Sequence, residues 1–183
     1  MVVPQHAKRD KIMQLFAQPY DVSAQGFYFD SFEEYAEKAE ANLNSSGQPV
    51  EEYEIQAIDE EASDFAKTVP PSQCNLEQWI EWGCRYAGLD SREQYAFQFL
   101  CDAMLWQDVD CDEVFDKVDE VCIFEGTPGE YAEEFVSDCY NIEKMMGNLA
   151  CYFDYEAFGR DLVLGGDIVE IALDVYVTNP HDF

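Results

Sequence analysis

The net charge of this chain limits what it can fold into more than any other feature of the sequence. Its 183 residues include 39 acidic and only 10 basic side chains, which gives a formal charge of −29 at pH 7. Acidic chains of this kind are often disordered, but disordered chains contain few aromatic residues. Here 48% of the residues are hydrophobic and 15% are aromatic, so we expect a folded protein. Because repulsion falls as carboxylates spread out, an elongated protein with an acidic outer surface is favoured.

Local sequence signals favour an α+β fold class built from three small units in a row. A proline-rich joint at residues 69–72 separates the first unit from a helical segment, because prolines interrupt regular structure. The predicted units are an α+β unit at 1–64, a helical middle unit at 65–107 and a second α+β unit at 108–183.

Two strands and one helix are predicted in the first unit. Residues 1–26 have no clear pattern, whereas the apolar run 27–29 and the alternating run 50–58 are typical of strands. Ser31 followed by Glu34 predicts a capping box that begins a helix.

The middle unit is predicted to contain two helices. Asn75 is the expected cap of the first helix, and Ser91 with Gln94 the expected capping box of the second, which runs through Trp106. The aromatic residues of both helices are expected in the core, because helices that are apolar on most sides are usually buried.

The last unit combines helical and strand signals. Residues 108–124 are apolar on one helical face and acidic on the other, which predicts one amphipathic helix. Thr127 and Glu130 predict a capping box with proline at the first helical position. A short helix at 155–162 and a single alternating strand at 169–178 complete the prediction.

The residue types that many enzymes and metal sites use are scarce or badly placed. His6 and His181 are the only histidines and lie at the two ends of the chain, and no CxxC pair is present. The seven cysteines are an odd number and are interpreted as reduced core residues. We therefore predict no catalytic residue, no cofactor and no zinc site.

One aspartate series has part of the spacing of an EF-hand calcium loop. Asp108, Asp110 and Asp112 match loop positions one, three and five, but Glu113 replaces the glycine of position six and Asp119 the glutamate of position twelve. A specific calcium site is therefore not expected, although loose binding of divalent cations remains an alternative.

The acids are concentrated in two regions. Residues 30–64 contain 12 acids and one lysine, and residues 102–138 contain 13 acids and one lysine, whereas ordinary surfaces mix both signs. Duplex DNA carries one charge per ~1.7 Å, so 29 charges match roughly 50 Å of duplex. The pattern predicts a DNA mimic that binds a protein with a basic cleft and repels nucleic acid and anionic membranes.

Ordered motifs in the last third of the chain are the most specific signal in the sequence. They are Phe-Glu-Gly at 124–126, Glu-Tyr-Ala-Glu-Glu at 130–134, the run 152–162 from Tyr-Phe-Asp-Tyr to Gly-Arg-Asp-Leu, and Gly-Gly-Asp at 165–167. Together with residues 26–35 and 47–59, they resemble the ArdA antirestriction family.

The resemblance implies a DNA mimic carried by mobile genetic elements or phage. Such a protein occupies the DNA site of type I restriction-modification enzymes, with the methyltransferase core as its main target, and inhibits them competitively. The resemblance also implies a homodimer of three-unit chains without enzymatic activity.

No catalytic residues are carried over from the family, so the predicted site is a surface on which carboxylates take the place of DNA phosphates. The predicted residues are Asp112, Glu113, Asp116, Asp119, Glu120, Glu130, Glu133, Glu134, Asp138, Glu33, Glu37 and Glu40.

Two other functions stay open at the level of sequence. The charge is also typical of a DNA mimic directed at a CRISPR complex, a repressor or a nucleoid protein. An acidic protein that binds divalent cations is a less favoured alternative. No run is apolar enough for a signal peptide or a membrane span, so a cytoplasmic location is expected.

Overall fold

The computed structural model describes residues 13–103 and 110–183, and its fold is α+β, as predicted. The chain divides into two compact units, Met1–Leu89 and Asp90–Phe183. The helices expected in a middle unit are shared between these two units. The elongated arrangement of three units stays a prediction, and the predicted helical residue Trp106 lies outside the described residues.

The first unit contains a three-stranded antiparallel sheet with strand order β2-β1-β3. Its elements are β1 (Leu15–Pro19), β2 (Phe27–Phe29), α1 (Phe32–Ala41), β3 (Tyr53–Ala57), α2 (Glu60–Thr68), a 3₁₀ turn (Gln73–Asn75) and α3 (Leu76–Ala87). The predictions of β2, β3, α1 and α3 are confirmed. Asn75 immediately precedes α3, as predicted, but its side chain makes no capping hydrogen bond.

Two elements of the first unit were not predicted. The interpretation of residues 1–26 as patternless is wrong for β1, which is the central strand and fully buries Leu15 and Ala17. Helix α2 begins after Asp59, whose carboxylate accepts the N–H of Ala62 at 2.7 Å. Both Ala62 and Phe65 of this helix are fully buried, so α2 closes one side of the core.

The core of the first unit is aromatic. Phe65 packs against Trp79, with ring centroids 5.1 Å apart, and against Tyr86 at 5.3 Å. Gly83 makes room for Met13 and Phe65, because a Cβ there would lie 2.3 Å from the sulfur of Met13 and 3.2 Å from a ring carbon of Phe65. The expected core role of Trp79 is confirmed, since its side chain is fully buried.

The second unit contains a three-stranded antiparallel sheet with strand order β4-β6-β5. Its elements are α4 (Ser91–Ala103), α5 (Cys111–Lys117), a 3₁₀ turn (Val118–Glu120), β4 (Ile123–Glu125), α6 (Pro128–Cys139), α7 (Ile142–Met146), a 3₁₀ helix (Gly147–Tyr152), α8 (Tyr155–Gly165), β5 (Val169–Ala172), β6 (Val175–Val177) and a 3₁₀ turn (Pro180–Asp182).

Two predictions in this unit are wrong in extent. The helix predicted at 108–124 ends as α5 at Lys117, because Ile123–Glu125 instead pairs with β6 as a strand. The strand predicted at 169–178 is a hairpin, in which Asp174 adopts a left-handed conformation with φ 56°. Tertiary pairing decides both cases.

The helix caps follow the local sequence, with two departures from the predicted hydrogen bonds. Thr127 and Glu130 form the predicted capping box at the start of α6. At α4 the capping box lies one residue earlier than predicted, because Asp90 Oδ1 accepts the N–H of Glu93 at 2.9 Å and the Glu93 carboxylate accepts the N–H of Asp90 at 2.6 Å. At α1, Ser31 accepts the N–H of Glu34 at 3.2 Å, but the Glu34 carboxylate accepts the N–H of Asp30 at 2.8 Å, so only half of the predicted capping box forms.

Helices α6 and α8 are tightly packed in the second unit. A Cβ at Gly159 would lie 2.2 Å from the carbonyl oxygen of Pro128. Only glycine lets α8 approach the first turn of α6 this closely, so this contact fixes the position of α6.

All seven cysteines are free thiols. Cys101 and Cys111 are buried, as predicted, but the interpretation of the others as core residues is wrong. The exposed cysteines are Cys74, Cys84, Cys122, Cys139 and Cys151. Cys139 is the last residue of α6, and helix ends expose positions that a periodic pattern assigns to the core.

Candidate functional site

All twelve acids predicted to mimic phosphates are exposed. Three lie in the first unit and nine in the second. Helix α1 carries Glu33, Glu37 and Glu40; α5 and its 3₁₀ turn carry Asp112, Glu113, Asp116, Asp119 and Glu120; α6 carries Glu130, Glu133, Glu134 and Asp138.

The acids of α1 share one face of the helix. Glu33, Glu37 and Glu40 are spaced four and three residues apart, a spacing that places side chains on the same side. Tyr35, on the opposite side, is the buried residue of this helix. Burial of Tyr35 therefore determines which face of α1 is exposed, and the three carboxylates on the opposite face point to solvent.

Helix α5 also has an acidic, exposed face and an apolar, buried face. Asp112 and Asp116 lie four residues apart and are exposed, whereas Cys111 and Val114 are fully buried. Asp110, outside the helix, accepts the N–H of Asp112 at 3.0 Å and so caps α5. This spacing repeats negative charge along one short helix.

The acids of α6 line an open groove. The groove has a volume of about 660 Å³ and is lined by Phe124, Glu125, Glu130, Glu133, Glu134, Ser137 and Asp138. Glu125 lies on β4 and was not predicted as a site residue, because its proximity to α6 arises from the turn between strand and helix. A groove with five carboxylates attracts cationic side chains.

This clustering opposes stability. Glu130 and Glu134 lie four residues apart, as do Glu134 and Asp138, and each such like-charge pair destabilises a helix by about 0.2–0.5 kcal/mol. Stabilisation of α6 therefore does not explain why these acids are clustered.

Three carboxylates near the groove and on α5 have partners within the second unit. Glu113 pairs with Lys117 at 2.9 Å, and Glu125 pairs with Nε of Arg92 at 2.6 Å. The Glu130 carboxylate accepts the N–H of Thr127 at 2.8 Å and its hydroxyl at 3.0 Å. The backbone bond, more than the hydroxyl, lowers the pKa of Glu130.

Within residues 13–103 and 110–183, no three His, Cys, Asp or Glu side chains are placed to hold a metal ion together. Asp108, the first position of the EF-hand-like series, lies outside these ranges. In the same part of the chain, no helix has the length and apolar character needed to cross a membrane.

Comparison with protein families gives a match to the antirestriction protein ArdA over residues 7–177. This chain belongs to the ArdA family. The match confirms the resemblance carried by the motifs of the last third and by residues 26–35 and 47–59, and it also includes residues 7–25. Searches of curated proteins and of solved structures give no match.

ArdA membership gives the surface acids a biological context. The family is one of inhibitors that act against restriction, and restriction enzymes are the corresponding kind of partner. In this ArdA protein, exposed carboxylates lie on α1, α5 and α6, and those of α6 line a groove.

Proposed function

We propose that this protein inhibits type I restriction-modification enzymes by occupying the DNA-binding site of their methyltransferase core as a DNA mimic. The observation that carries the proposal is the exposure of all twelve acids, with nine of them on α5, its turn and α6 of a single unit. Membership of the ArdA family supports the antirestriction role.

The physical basis is the energetics of DNA binding. A basic cleft gains affinity when phosphates are neutralised and counterions are released, and carboxylates held on helices of fixed orientation exploit the same lysines and arginines. Carboxylates form charge-assisted, often bidentate hydrogen bonds with arginine, as phosphates do. A mimic presents no bases, so inhibition is independent of DNA sequence.

No chemical step is needed for this function. The carboxylates of the groove bind cations, and the enzyme is inhibited for as long as its cleft is filled. The homodimer and the origin in a mobile genetic element stay predictions that follow from the resemblance, and the cytoplasmic location stays a prediction from the hydropathy of the sequence.

Competition for a purified type I methyltransferase tests the proposal. A labelled duplex bound to the enzyme is titrated with this protein over a salt series, and polyglutamate of about equal charge serves as a control for bulk acidity. We expect this protein to displace the duplex more strongly than polyglutamate, with an affinity that falls as salt rises.

Two results contradict the proposal. One is failure to displace DNA at any salt concentration, and the other is displacement that polyglutamate reproduces. Displacement from a repressor or nucleoid protein, but not from the methyltransferase, would move the target to another DNA-binding protein.

A further inference from the structure

The sheet of the first unit has one buried face and one open face. Leu15, Ala17 and Ile55 lie on the buried face. Because successive side chains of a strand point to opposite faces, the residues that alternate with them form the other face, and these are exposed or half-buried. The open face, as it is called below, consists of Gln14, Phe16, Gln18, Tyr20, Tyr28, Glu52, Glu54, Gln56 and Ile58.

The open face presents aromatic rings to solvent. Tyr20 is 66% exposed and Tyr28 is 54% exposed. Phe16 lies opposite Tyr28 in the strand pairing, and their ring centroids are 4.8 Å apart. Gly26 leaves space for the Phe16 ring, because a Cβ at position 26 would lie 2.4 Å from that ring. The Phe16 ring is therefore held between Gly26 and Tyr28 at the surface of the sheet.

Two carboxylates lie beside these rings. Tyr20 donates its backbone N–H to the carbonyl of Glu52 at 3.2 Å, so these two residues are neighbours across the strands. Glu54 pairs with Gln18 and is the diagonal neighbour of Phe16, a separation of about 7–8 Å that one long side chain can span. In the part of the chain that the structure describes, neither Glu52 nor Glu54 forms an ion pair.

An open hollow lies at the Tyr20 end of the face. Its volume is about 550 Å³, and its lining includes Tyr20, Asp21, Glu51 and Glu52. Asn44 donates to the carboxylate of Asp21 at 3.0 Å and so joins the two loops that border the hollow. A side chain of a bound partner would find room here next to a tyrosine and several carboxylates.

Charge identifies the kind of occupant. Residues 13–89 contain 15 acidic and 3 basic residues, and Lys38 and Lys67 already pair with Glu34 and Asp64. Aromatic residues on an open sheet stack with nucleic-acid bases in some proteins, but phosphates would be repelled by this unit. A cationic side chain is attracted instead.

We propose that the open face binds arginine side chains of the DNA-binding partner. One guanidinium group stacks on Phe16 and Tyr28 and reaches the carboxylate of Glu54. A second stacks on Tyr20, enters the hollow and reaches Glu52. Arginine fits these places better than lysine, because its flat guanidinium group stacks on a ring and also binds a carboxylate with two N–H groups.

The inference rests on the proposed function for the identity of the partner and adds a second kind of contact to it. The twelve predicted acids lie on helices and a 3₁₀ turn, and their carboxylates attract lysine and arginine mainly through charge. The rings of the open face distinguish arginine from lysine. The first unit is therefore expected to prefer partners whose basic surface is rich in arginine.

Nuclear magnetic resonance of the full chain with ¹³C-labelled tyrosine tests this preference without any enzyme. The probes are two peptides of equal length and charge, one of alternating arginine and glycine and the other of alternating lysine and glycine. Tyr140 and Tyr152 of the second unit, which are 50% and 80% exposed, serve as internal controls.

We expect the signals of Tyr20 and Tyr28 to shift until saturation, with a dissociation constant at least about fivefold lower for the arginine peptide than for the lysine peptide. The signals of Tyr140 and Tyr152 should shift little. Equal dissociation constants for the two peptides would overturn the inference, and so would equal shifts at all four tyrosines.

Substitution separates this inference from the proposed function. The variant Tyr20→Gln/Tyr28→Gln removes two rings without a change of charge, and Leu164→Gln/Leu173→Gln is the matched control at exposed side chains of the second unit. In the displacement of duplex from the methyltransferase, we expect at least about fivefold weaker binding of the first variant and less than about twofold change in the control.

The two ideas fail in different ways. If the unchanged protein does not displace the duplex but keeps its preference for the arginine peptide, the proposed function is wrong and the arginine-binding face is supported for another basic partner. If the tyrosine variant displaces the duplex as well as the unchanged protein does, the open face is not part of the interface and the inference is wrong, whereas the proposed function stands.

Discussion

Reversal of three charges on α5 and its turn tests whether binding depends on the positions of the acids or only on the net charge of the protein. The variant Asp112→Lys/Asp116→Lys/Glu120→Lys changes exposed residues. Each reversal adds two charges, so the net charge moves from −29 to −23. Most of the acidity therefore remains.

The expected loss of affinity follows from the exposure of these groups. An exposed ion pair contributes about 0.2–1 kcal/mol. Three attractive contacts disappear and three repulsive ones of similar size replace them, which gives about 3 kcal/mol, or roughly a hundredfold weaker binding at low salt. Neutralising one acid is expected to change affinity by less than about fivefold.

Displacement of labelled duplex from the methyltransferase measures the effect. The control Glu77→Lys/Glu81→Lys/Asp102→Lys makes the same charge change at exposed helical residues outside the predicted surface. If both triple variants lose the same affinity, net charge alone explains binding, and the prediction that the α5 acids form part of the binding surface is wrong. A hundredfold loss from a single substitution would instead indicate a localised hot spot.

Three further predictions concern the groove and its supporting contacts. Thr127→Ala should lower the free energy of unfolding, measured by urea denaturation, by about 1 kcal/mol because the α6 cap is lost. In the control Ser137→Ala on the same helix, the free energy of unfolding should change by less than about 0.5 kcal/mol. Arg92→Gln frees Glu125 and should tighten binding to the methyltransferase about two- to fivefold in the displacement assay, with less than about 1 kcal/mol lost in stability; unchanged or weaker binding would exclude Glu125 from the interface. The lowered pKa of Glu130 contributes stability above its ordinary value of 4.5 that is lost as pH falls below it, so the stability difference between the unchanged protein and Glu130→Gln should be constant above about pH 5 and shrink towards pH 3.

Local signals in the sequence predicted helix starts well. The capping box of Thr127 and Glu130 is present as predicted, because its hydrogen bonds join residues three apart. The same reasoning placed the α4 capping box one residue too late, since Asp90 and Glu93 form an equivalent pair directly before Ser91 and Gln94.

Elements that depend on distant partners were predicted less well. Strand β1 is five residues long and ends at Pro19, so its own sequence is a weak signal. It is a central strand because both β2 and β3 pair with it. The turn at Asp174 was missed for a related reason, since Leu173 and Asp174 lack a strong turn signature and the alternation of apolar residues continues across them.

The exposed acids were predictable because amphipathic spacing determines which side of a helix faces water. The groove was not, because it requires Glu125 of β4 to lie beside Glu130 and Asp138 of α6. The motif at 124–126 was a signal of the family, but the sequence alone does not indicate which carboxylates meet.

The contact between Gly159 and Pro128 has a consequence for how much sequence change this protein tolerates. Position 159 is uncharged and buried, yet it sets where α6 lies and therefore where the groove carboxylates are held. Individual acids can be exchanged with little loss, because many weak contacts share the binding energy. A methyl group at position 159 would shift all the α6 acids together, so a neutral, buried position is expected to be less tolerant of mutation than the charged residues it supports.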